Sequence, residues 1–152
     1  RRKGPRRSNN LEPTAAPALL GNLDRWNRRG DIFAADFIFI PVNDRLHWSL
    51  AIVCFAQEAK ILSMDGCQFG EAAACVLYLD SLGGQKRWVR SLVAEELAEV
   101  WEQSATSKEW QGPPPPFELM PFVEYQIPKQ TNSVDCGLFL VECLERFTKD
   151  PP

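Results

Sequence analysis

The sequence predicts one α+β domain, in which helices flank a sheet in an order that is not a regular βαβ series. Residues 36–42 and 47–55 are rich in aromatic and β-branched residues, and turn residues separate them, so they predict a β-hairpin. Apolar residues recur at helical spacing through 86–103, which predicts a helix with one buried face. The chain has 152 residues, 45% of them hydrophobic, which is enough for one domain with a core.

Two stretches of the chain have a weaker pattern. Residues 1–17 contain Arg, Pro, Asn and Ala, and we expect a disordered tail there. The folded domain is therefore predicted to span 18–150 and to begin with a short helix at 19–29. Residues 56–74 fit a long connection, with or without a short strand at 61–64.

The second half of the chain predicts two more strands and a final helix. Residues 75–80 form an apolar strand that ends at Ser-Leu-Gly-Gly, and 122–127 form a last short strand. The sequence "GPPPP" at 112–116 allows only a stiff, extended loop. Residues 134–148 predict the final helix. Its residues able to face a core are Leu138, Val141, Cys143 and Leu144.

The charge distribution separates a basic head from an acidic body. The net charge is −3, but the first seven residues carry five positive charges, which leaves 12 basic against 20 acidic residues and a net charge of −8 elsewhere. An acidic body argues against nucleic acid as the main partner. The basic head is either a nuclear-targeting patch or a solvated tail, and the first interpretation makes the protein nuclear.

Neither the apolar pattern nor the cysteines indicate a membrane protein or a metal site. No apolar run reaches the ~20 residues of a transmembrane helix, and no signal peptide is visible. The chain lacks an initiator Met, which predicts a piece of a longer protein. The five cysteines form no Cys-x-x-Cys pair and there is one His, so we expect no metal and no cofactor. Free thiols are typical of the cytosol or nucleus.

Cys136 stands between a polar run and an apolar helical run in "KQTNSVDCGLFLVECLERF" (129–147). The N–H groups at a helix start have no intrahelical partner and the helix dipole favours an anion, so both stabilise a nucleophilic thiolate. Ser133 and Asp135 fit the helix cap and a first-turn acid. The alternative is a small buried apolar residue, which is the role we expect for Cys143.

His47, the single histidine, is the candidate base for such a nucleophile. It begins a strand directly after a turn, which places it at the rim of the sheet, where a surface His without a chemical role would also lie. If its strand pairs antiparallel with the strand that ends at Asp80, the two residues become neighbours and Asp80 can orient the imidazole. Asp65 is an alternative orienter, reached through a tight hairpin around residue 56.

Gln130 lies on the polar loop, six residues before Cys136. Its side-chain amide could join the Cys136 N–H in an oxyanion hole. The alternative is an ordinary polar loop residue, so the position by itself decides nothing.

Three segments together resemble one known family. They are "LHWSLAIVCF", "CVLYLDSLGG" and "IPKQTNSVDCGLFL", and they are similar to the ubiquitin-like-protein-specific (SUMO- or sentrin-specific) cysteine proteases. The resemblance spans about 33–150 and implies a papain-like fold with a central mixed sheet flanked by helices. The segment 31–54 most resembles the branch with an insertion between the His and Asp strands, which tends to act on poly-SUMO chains.

The resemblance implies a role for each candidate residue. His47 is the base, Asp80 its orienter, Cys136 the nucleophile and Gln130 the oxyanion donor. Trp48 matches a Trp that lines a tunnel over the substrate's Gly-Gly end, where only glycine lets a backbone pass under an indole; a strand core residue is the alternative. The implied activity is cleavage of the isopeptide or peptide bond after the Gly-Gly C-terminus of SUMO, and the implied partners are SUMO and SUMO-conjugated proteins.

Two departures from the family pattern matter. The gap from His47 to Asp80 is 33 residues, longer than in compact members, whereas the gap to Asp65 is 18. Asp80 is preferred because it carries the family's Asp-Ser-Leu and leads into an amphipathic helix. The family domain begins with helices and substrate loops, and here a basic tail occupies that place. We therefore expect either a truncated domain or a different location for those elements.

Three other functions fit the same residues. They are a protease for another modifier that ends in Gly-Gly, such as NEDD8, an acetyltransferase that uses the same triad, and a non-catalytic SUMO-binding module. The intact triad candidates argue against the last, and the missing N-terminal elements argue for it.

Overall fold

The computed structural model describes residues 28, 30–63, 74–83 and 86–151. The predicted tail at 1–17, all but one residue of the predicted helix at 19–29, and Asp65 lie outside these residues. None of the helices in the described ranges is long and apolar enough to cross a membrane.

The described residues form a sheet of four strands, in the order β1-β2-β3-β4. The strands are β1 (Phe37–Asp44), β2 (His47–Cys54), β3 (Cys75–Leu79) and β4 (Phe122–Glu124). β2 pairs antiparallel with β1 and with β3, whereas β4 pairs parallel with β3. The predicted hairpin and the mixed sheet are therefore confirmed, and the last strand is shorter than predicted.

Three α-helices and three 3₁₀ helices accompany this sheet in the described part. The α-helices are α1 (Arg87–Trp101), α2 (Ala105–Glu109) and α3 (Cys136–Lys149), and the 3₁₀ helices are Ile32–Ala34, Ala56–Ser63 and Phe117–Leu119. The α+β class and both long predicted helices are confirmed. The optional strand at 61–64 is wrong for 61–63, which are helical; β2 is already paired on both sides, so a strand directly after it has no free edge there.

Two apolar layers cover opposite faces of the sheet. On one face, Val89 and Leu97 of α1 pack with sheet residues such as Val53. On the other face, Leu144 and Phe147 of α3 pack with sheet residues such as Ile52. Burying each such side chain stabilises the fold by about 1.5–3 kcal/mol. β2 is therefore buried from its third residue onward, and only its first two residues reach the surface.

Helix α3 leaves part of its apolar surface uncovered. Leu138 is 70% exposed and Val141 is 57% exposed, so the prediction that both face a core is wrong. Cys143 and Leu144 do pack in the second layer, as predicted. The sheet contacts the helix face that continues to Phe147, and at 3.6 residues per turn Leu138 and Val141 fall on a different face.

The turn between β1 and β2 is strained. Asp44 pairs with His47, so Arg45 and Leu46 form a two-residue loop, with φ of 51° and 69°. Such a loop needs positive φ at both positions, which Asn and Gly supply best. A residue with a Cβ pays about 1–2 kcal/mol for this conformation.

Leu46→Gly is expected to raise the free energy of unfolding by roughly 0.5–1 kcal/mol, because glycine has no Cβ to strain at positive φ. The Leu46 side chain is 90% exposed, so little packing is lost. Urea denaturation followed by circular dichroism measures the change. Leu82→Gly is the control, since Leu82 is half-exposed and is not among the positive-φ residues; it should destabilise the protein. Equal destabilisation by both variants would mean that the turn stores no strain.

Candidate active site

His47 and Asp80 meet at one edge of the sheet. Leu50 and Leu79 are paired at that end of the β2–β3 ladder, so the start of β2 lies beside the end of β3. His47 Nε2 is 2.7 Å from Asp80 Oδ1, and the two side chains are 14% and 4% exposed. The structure thus brings the two residues together as the predicted strand pairing requires, and their catalytic roles stay a prediction.

This contact decides which nitrogen of a neutral imidazole carries the proton. A carboxylate oxygen accepts, so in the neutral form of His47 the Nε2–H donates to Asp80 and the lone pair lies on Nδ1. Asp80 Oδ1 also accepts the Leu82 N–H at 2.9 Å. The other carboxylate oxygen is buried without a hydrogen-bond partner among the described residues. Nδ1 is therefore the nitrogen available to take a proton from a thiol.

Cys136 is the first residue of α3 and is 4% exposed. Its sulfur lies 4.0 Å from the carbonyl oxygen of Leu46, the residue that precedes His47 in the chain. The thiol therefore packs against the strained turn that leads into His47. As the first helical residue, Cys136 has a backbone N–H without an intrahelical acceptor, so this N–H is available to a substrate oxygen.

The helix cap differs from the prediction. The N-cap residue is Asp135, whose side chain makes no capping hydrogen bond, so Ser133 is not the cap and Asp135 is not a first-turn acid. The reason is Asn132, which the sequence analysis missed. Its Nδ2 donates to the Asp135 carboxylate at 2.6 Å, and its Oδ1 accepts the N–H groups of Val134 and Asp135, both at 3.0 Å. An Asn that bonds the backbone ahead of it is a common turn-former, and that tendency was the available signal.

Gln130 is buried and its side chain is held on two sides. Ser81 Oγ donates to Gln130 Oε1 at 2.6 Å, and Gln130 Nε2 donates to the Asn132 carbonyl at 2.7 Å. The Gln130 backbone N–H also donates to the Ser81 carbonyl at 2.9 Å. A carboxamide has two N–H donors, so one remains for a further acceptor. Gln130 is therefore a fixed amide that links the end of β3 to the loop before Cys136.

Exposed apolar side chains stand next to these residues in the chain. Trp48 is 41% exposed, so its alternative role as a strand core residue is wrong. Leu46 and Val134, which lie one residue before His47 and two before Cys136, are 90% and 78% exposed. Solvent-exposed apolar groups around polar ones are typical of a binding surface.

Two thiols outside this site are relevant to labelling experiments. Cys54 and Cys75 lie opposite each other in the β2–β3 ladder. A hydrogen bond from Cys54 lowers the pKa of Cys75 to about 7, against the opposing effect of burial, and the same pairing raises the pKa of Cys54. Burial raises the pKa of Cys143. Electrophiles at neutral pH should therefore label Cys75 as well as any catalytic thiol.

The sequence agrees with a family model over nearly its whole length. The model described as "Ulp1 protease family, C-terminal catalytic domain" matches residues 3–152. The chain belongs to the Ulp1 protease family. These are cysteine proteases for ubiquitin-like proteins, so the resemblance found in the sequence is confirmed. The assignment to the branch with an insertion stays a prediction.

Curated Ulp1-family relatives are much longer than this chain. This chain is 35% identical over 130 residues to "Probable ubiquitin-like-specific protease 2B" of Arabidopsis thaliana. That alignment covers 84% of this chain and 14% of the relative. It is 29% identical over 174 residues to human "Sentrin-specific protease 7", covering 83% of this chain and 16% of that one. The chain therefore spans a small part of the relatives it matches.

Solved structures of Ulp1-type proteases share the fold. The "Crystal structure of the de-sumoylating protease" superimposes with a TM-score of 0.64 at 20% identity, covering 87% of this chain and 45% of that chain. The C-terminal Ulp1 protease domain in complex with Smt3, the yeast orthologue of SUMO, gives a TM-score of 0.56 at 20% identity, covering 88% and 51%. The predicted protease fold is confirmed, and the chain spans about half the length of these solved chains.

Proposed function

We propose that this chain is the C-terminal catalytic part of a SUMO-specific cysteine protease that cleaves the isopeptide or peptide bond after the Gly-Gly end of SUMO. One observation carries the proposal. The His47–Asp80 pair stands at the sheet edge, and the Cys136 sulfur packs against the carbonyl that precedes His47. Membership of the Ulp1 family supports the reaction class, and a relative's complex with Smt3 supports SUMO as the modifier.

The first half of the reaction forms a thioester. The Cys136 thiol gives its proton to His47 Nδ1, and the thiolate attacks the carbonyl carbon of the last glycine. The resulting oxyanion accepts the Cys136 N–H and the remaining N–H of Gln130 Nε2. The carbon–nitrogen bond then breaks, and the imidazolium returns the proton to the leaving lysine amine.

The second half releases the modifier. Water gives a proton to His47 Nδ1 and its oxygen adds to the thioester carbonyl. The carbon–sulfur bond breaks, Cys136 recovers the proton, and SUMO leaves with a free carboxylic acid, which releases its own proton to solvent. Asp80 stays ionised throughout, because its role is to hold the imidazole and to stabilise the imidazolium charge.

The proposal extends to the substrate and the cellular setting. Trp48 covers the Gly-Gly end of SUMO, whose lack of side chains lets the backbone pass beneath the indole. SUMO-conjugated proteins, including poly-SUMO chains, are the partners. The basic head at 1–7 directs the protein to the nucleus, and the acidic body disfavours nucleic acid and membrane partners.

Probes made from SUMO, NEDD8 and ubiquitin, each with a C-terminal propargylamide, test the proposal. The SUMO probe should add to Cys136, and peptide mapping by mass spectrometry identifies the labelled thiol. Cys75→Ser is the matched control, because its thiol is activated by Cys54 and not by the site; this variant should still form the adduct. A NEDD8 adduct at Cys136 would show that the modifier is NEDD8 and not SUMO. An adduct at Cys75 alone would show that Cys136 is not the nucleophile.

The exposed apolar side chains of Leu46, Trp48 and Val134 favour a second candidate, a non-catalytic SUMO-binding module, because an apolar surface can bind a partner without any reaction. The same probes distinguish the two functions. SUMO binding by calorimetry without any adduct, even when the natural upstream sequence is added, would favour the binding module.

A further inference from the structure

We propose that Ser81 is a positioning residue that fixes the Gln130 amide in the orientation required for oxyanion binding, which rests on the function proposed above. Ser81 directly follows Asp80, and it is 2% exposed. Its backbone carbonyl and its hydroxyl both bond Gln130, at 2.9 Å and 2.6 Å. A buried serine with two hydrogen bonds to one residue holds that residue in both position and orientation.

The two hydrogen-bond partners of the Gln130 amide determine where its oxygen and its nitrogen lie. The backbone carbonyl of Asn132 can only accept a hydrogen bond, so the NH₂ group must face it, at 2.7 Å. The Ser81 hydroxyl then donates to Oε1. If the amide rotated by half a turn, Oε1 would face the Asn132 carbonyl oxygen and the two acceptors would repel. Only one N–H is left, and its direction is set by these two contacts.

Ser81→Ala removes one of the two contacts. Gln130 Oε1 then loses its donor, and the planar amide pivots about the single remaining bond to Asn132. The oxyanion donor is present but no longer preorganised, and preorganisation is what makes such a donor effective. The end of β3 therefore serves both halves of the site, because Asp80 orients the base and the next residue orients the oxyanion donor.

The effect on turnover should be smaller than that of removing the amide. Gln130→Ala is expected to lower kcat by roughly 10²–10³-fold, the usual loss for one oxyanion donor. Ser81→Ala should lower kcat by roughly 10-fold with KM unchanged, since Asn132 still holds one side of the same donor. The assay uses a fluorogenic SUMO substrate and the protein with its natural upstream sequence.

A double-mutant cycle separates positioning from a general structural role. If Ser81 acts through Gln130, Ser81→Ala should lower kcat no further in the Gln130→Ala background. Additive losses, or a loss in KM alone, would overturn the proposal. Ser104→Ala is the matched control: Ser104 is 1% exposed, its hydroxyl also makes two hydrogen bonds, and it caps α2. It should destabilise the fold and leave kcat unchanged; an equal kcat loss there would also refute positioning.

A second measurement does not depend on activity. In ¹⁵N–¹H spectra of the chain, the Gln130 side-chain NH₂ pair, assigned by its loss in Gln130→Ala, should be well dispersed and should move toward free-glutamine shifts in Ser81→Ala. Unchanged shifts would refute the proposal even if the protein proved to be a binding module. Normal turnover by Gln130→Ala would instead refute the oxyanion role of Gln130, and with it the role of Ser81.

Discussion

Cys136→Ser is expected to lower kcat for SUMO cleavage by about 10⁶-fold, the scale of loss when a covalent nucleophile is removed. A serine hydroxyl at this position is a far weaker nucleophile than a thiolate. Binding of SUMO should persist, because the sulfur is buried against Leu46 and is used in chemistry rather than recognition. Single-turnover kinetics measure the chemical step, and calorimetry measures binding.

Cys143→Ser is the control for this prediction. Cys143 lies on the same helix but packs in the apolar layer against the sheet. Its replacement should lower the free energy of unfolding by about 1 kcal/mol, since a polar hydroxyl is placed among apolar groups, and kcat should stay close to the wild-type value. If Cys143→Ser were the inactive variant, or Cys136→Ser cleaved normally, Cys136 would not be the nucleophile.

Asp80→Asn is expected to lower kcat by ~10⁴-fold, the loss known for removal of the orienting acid of a triad. The neutral amide no longer stabilises the imidazolium. If its NH₂ group turned toward His47, the imidazole proton would move to Nδ1 and leave no lone pair for the thiol. The pH dependence of kcat/KM should change along with the rate, which a purely structural defect would not cause.

Two other acids, Asp44 and Asp65, test whether this effect is specific. Asp44 pairs with His47 across the hairpin, but its carboxylate accepts Lys86 Nζ at 2.9 Å, so Asp44→Asn should change kcat only a few-fold. Asp65→Asn should also stay within a few-fold of wild type. A loss near 10⁴-fold in Asp65→Asn would make Asp65 the orienter and the Asp80 contact structural.

The elements that the sequence predicted best are those with a strong local pattern. The hairpin follows from two apolar β-rich segments around a turn, and α1 follows from a repeating apolar face, since these patterns set the buried side within each segment. Predicting the contact between His47 and Asp80 needed one further step, the pairing of their two strands. In an antiparallel pair the start of one strand lies beside the end of the other. These inferences need no knowledge of side-chain geometry.

The support of the site depended on contacts between distant segments. Ser81 and Gln130 are 49 residues apart, and nothing in either segment indicates that a buried hydroxyl would hold the amide. Asn132, and not Ser133, accepts the backbone N–H groups just before α3. Which of several neighbouring polar side chains makes such local hydrogen bonds depends on the exact backbone path. The candidate reactive residues could be predicted from the sequence, whereas Ser81 and Asn132, which hold Gln130, were seen only in the structure.

What the sequence by itself determined is the family, the α+β class and the candidates Cys136, His47, Asp80 and Gln130, because residue type and strand order carry the chemistry. Only the tertiary structure decided how the apolar surface of α3 is divided, with Leu144 against the sheet and Leu138 exposed. Helical periodicity marks apolar residues, but which of them are covered depends on what packs against the helix. That is a property of the assembled layers and not of the helix sequence.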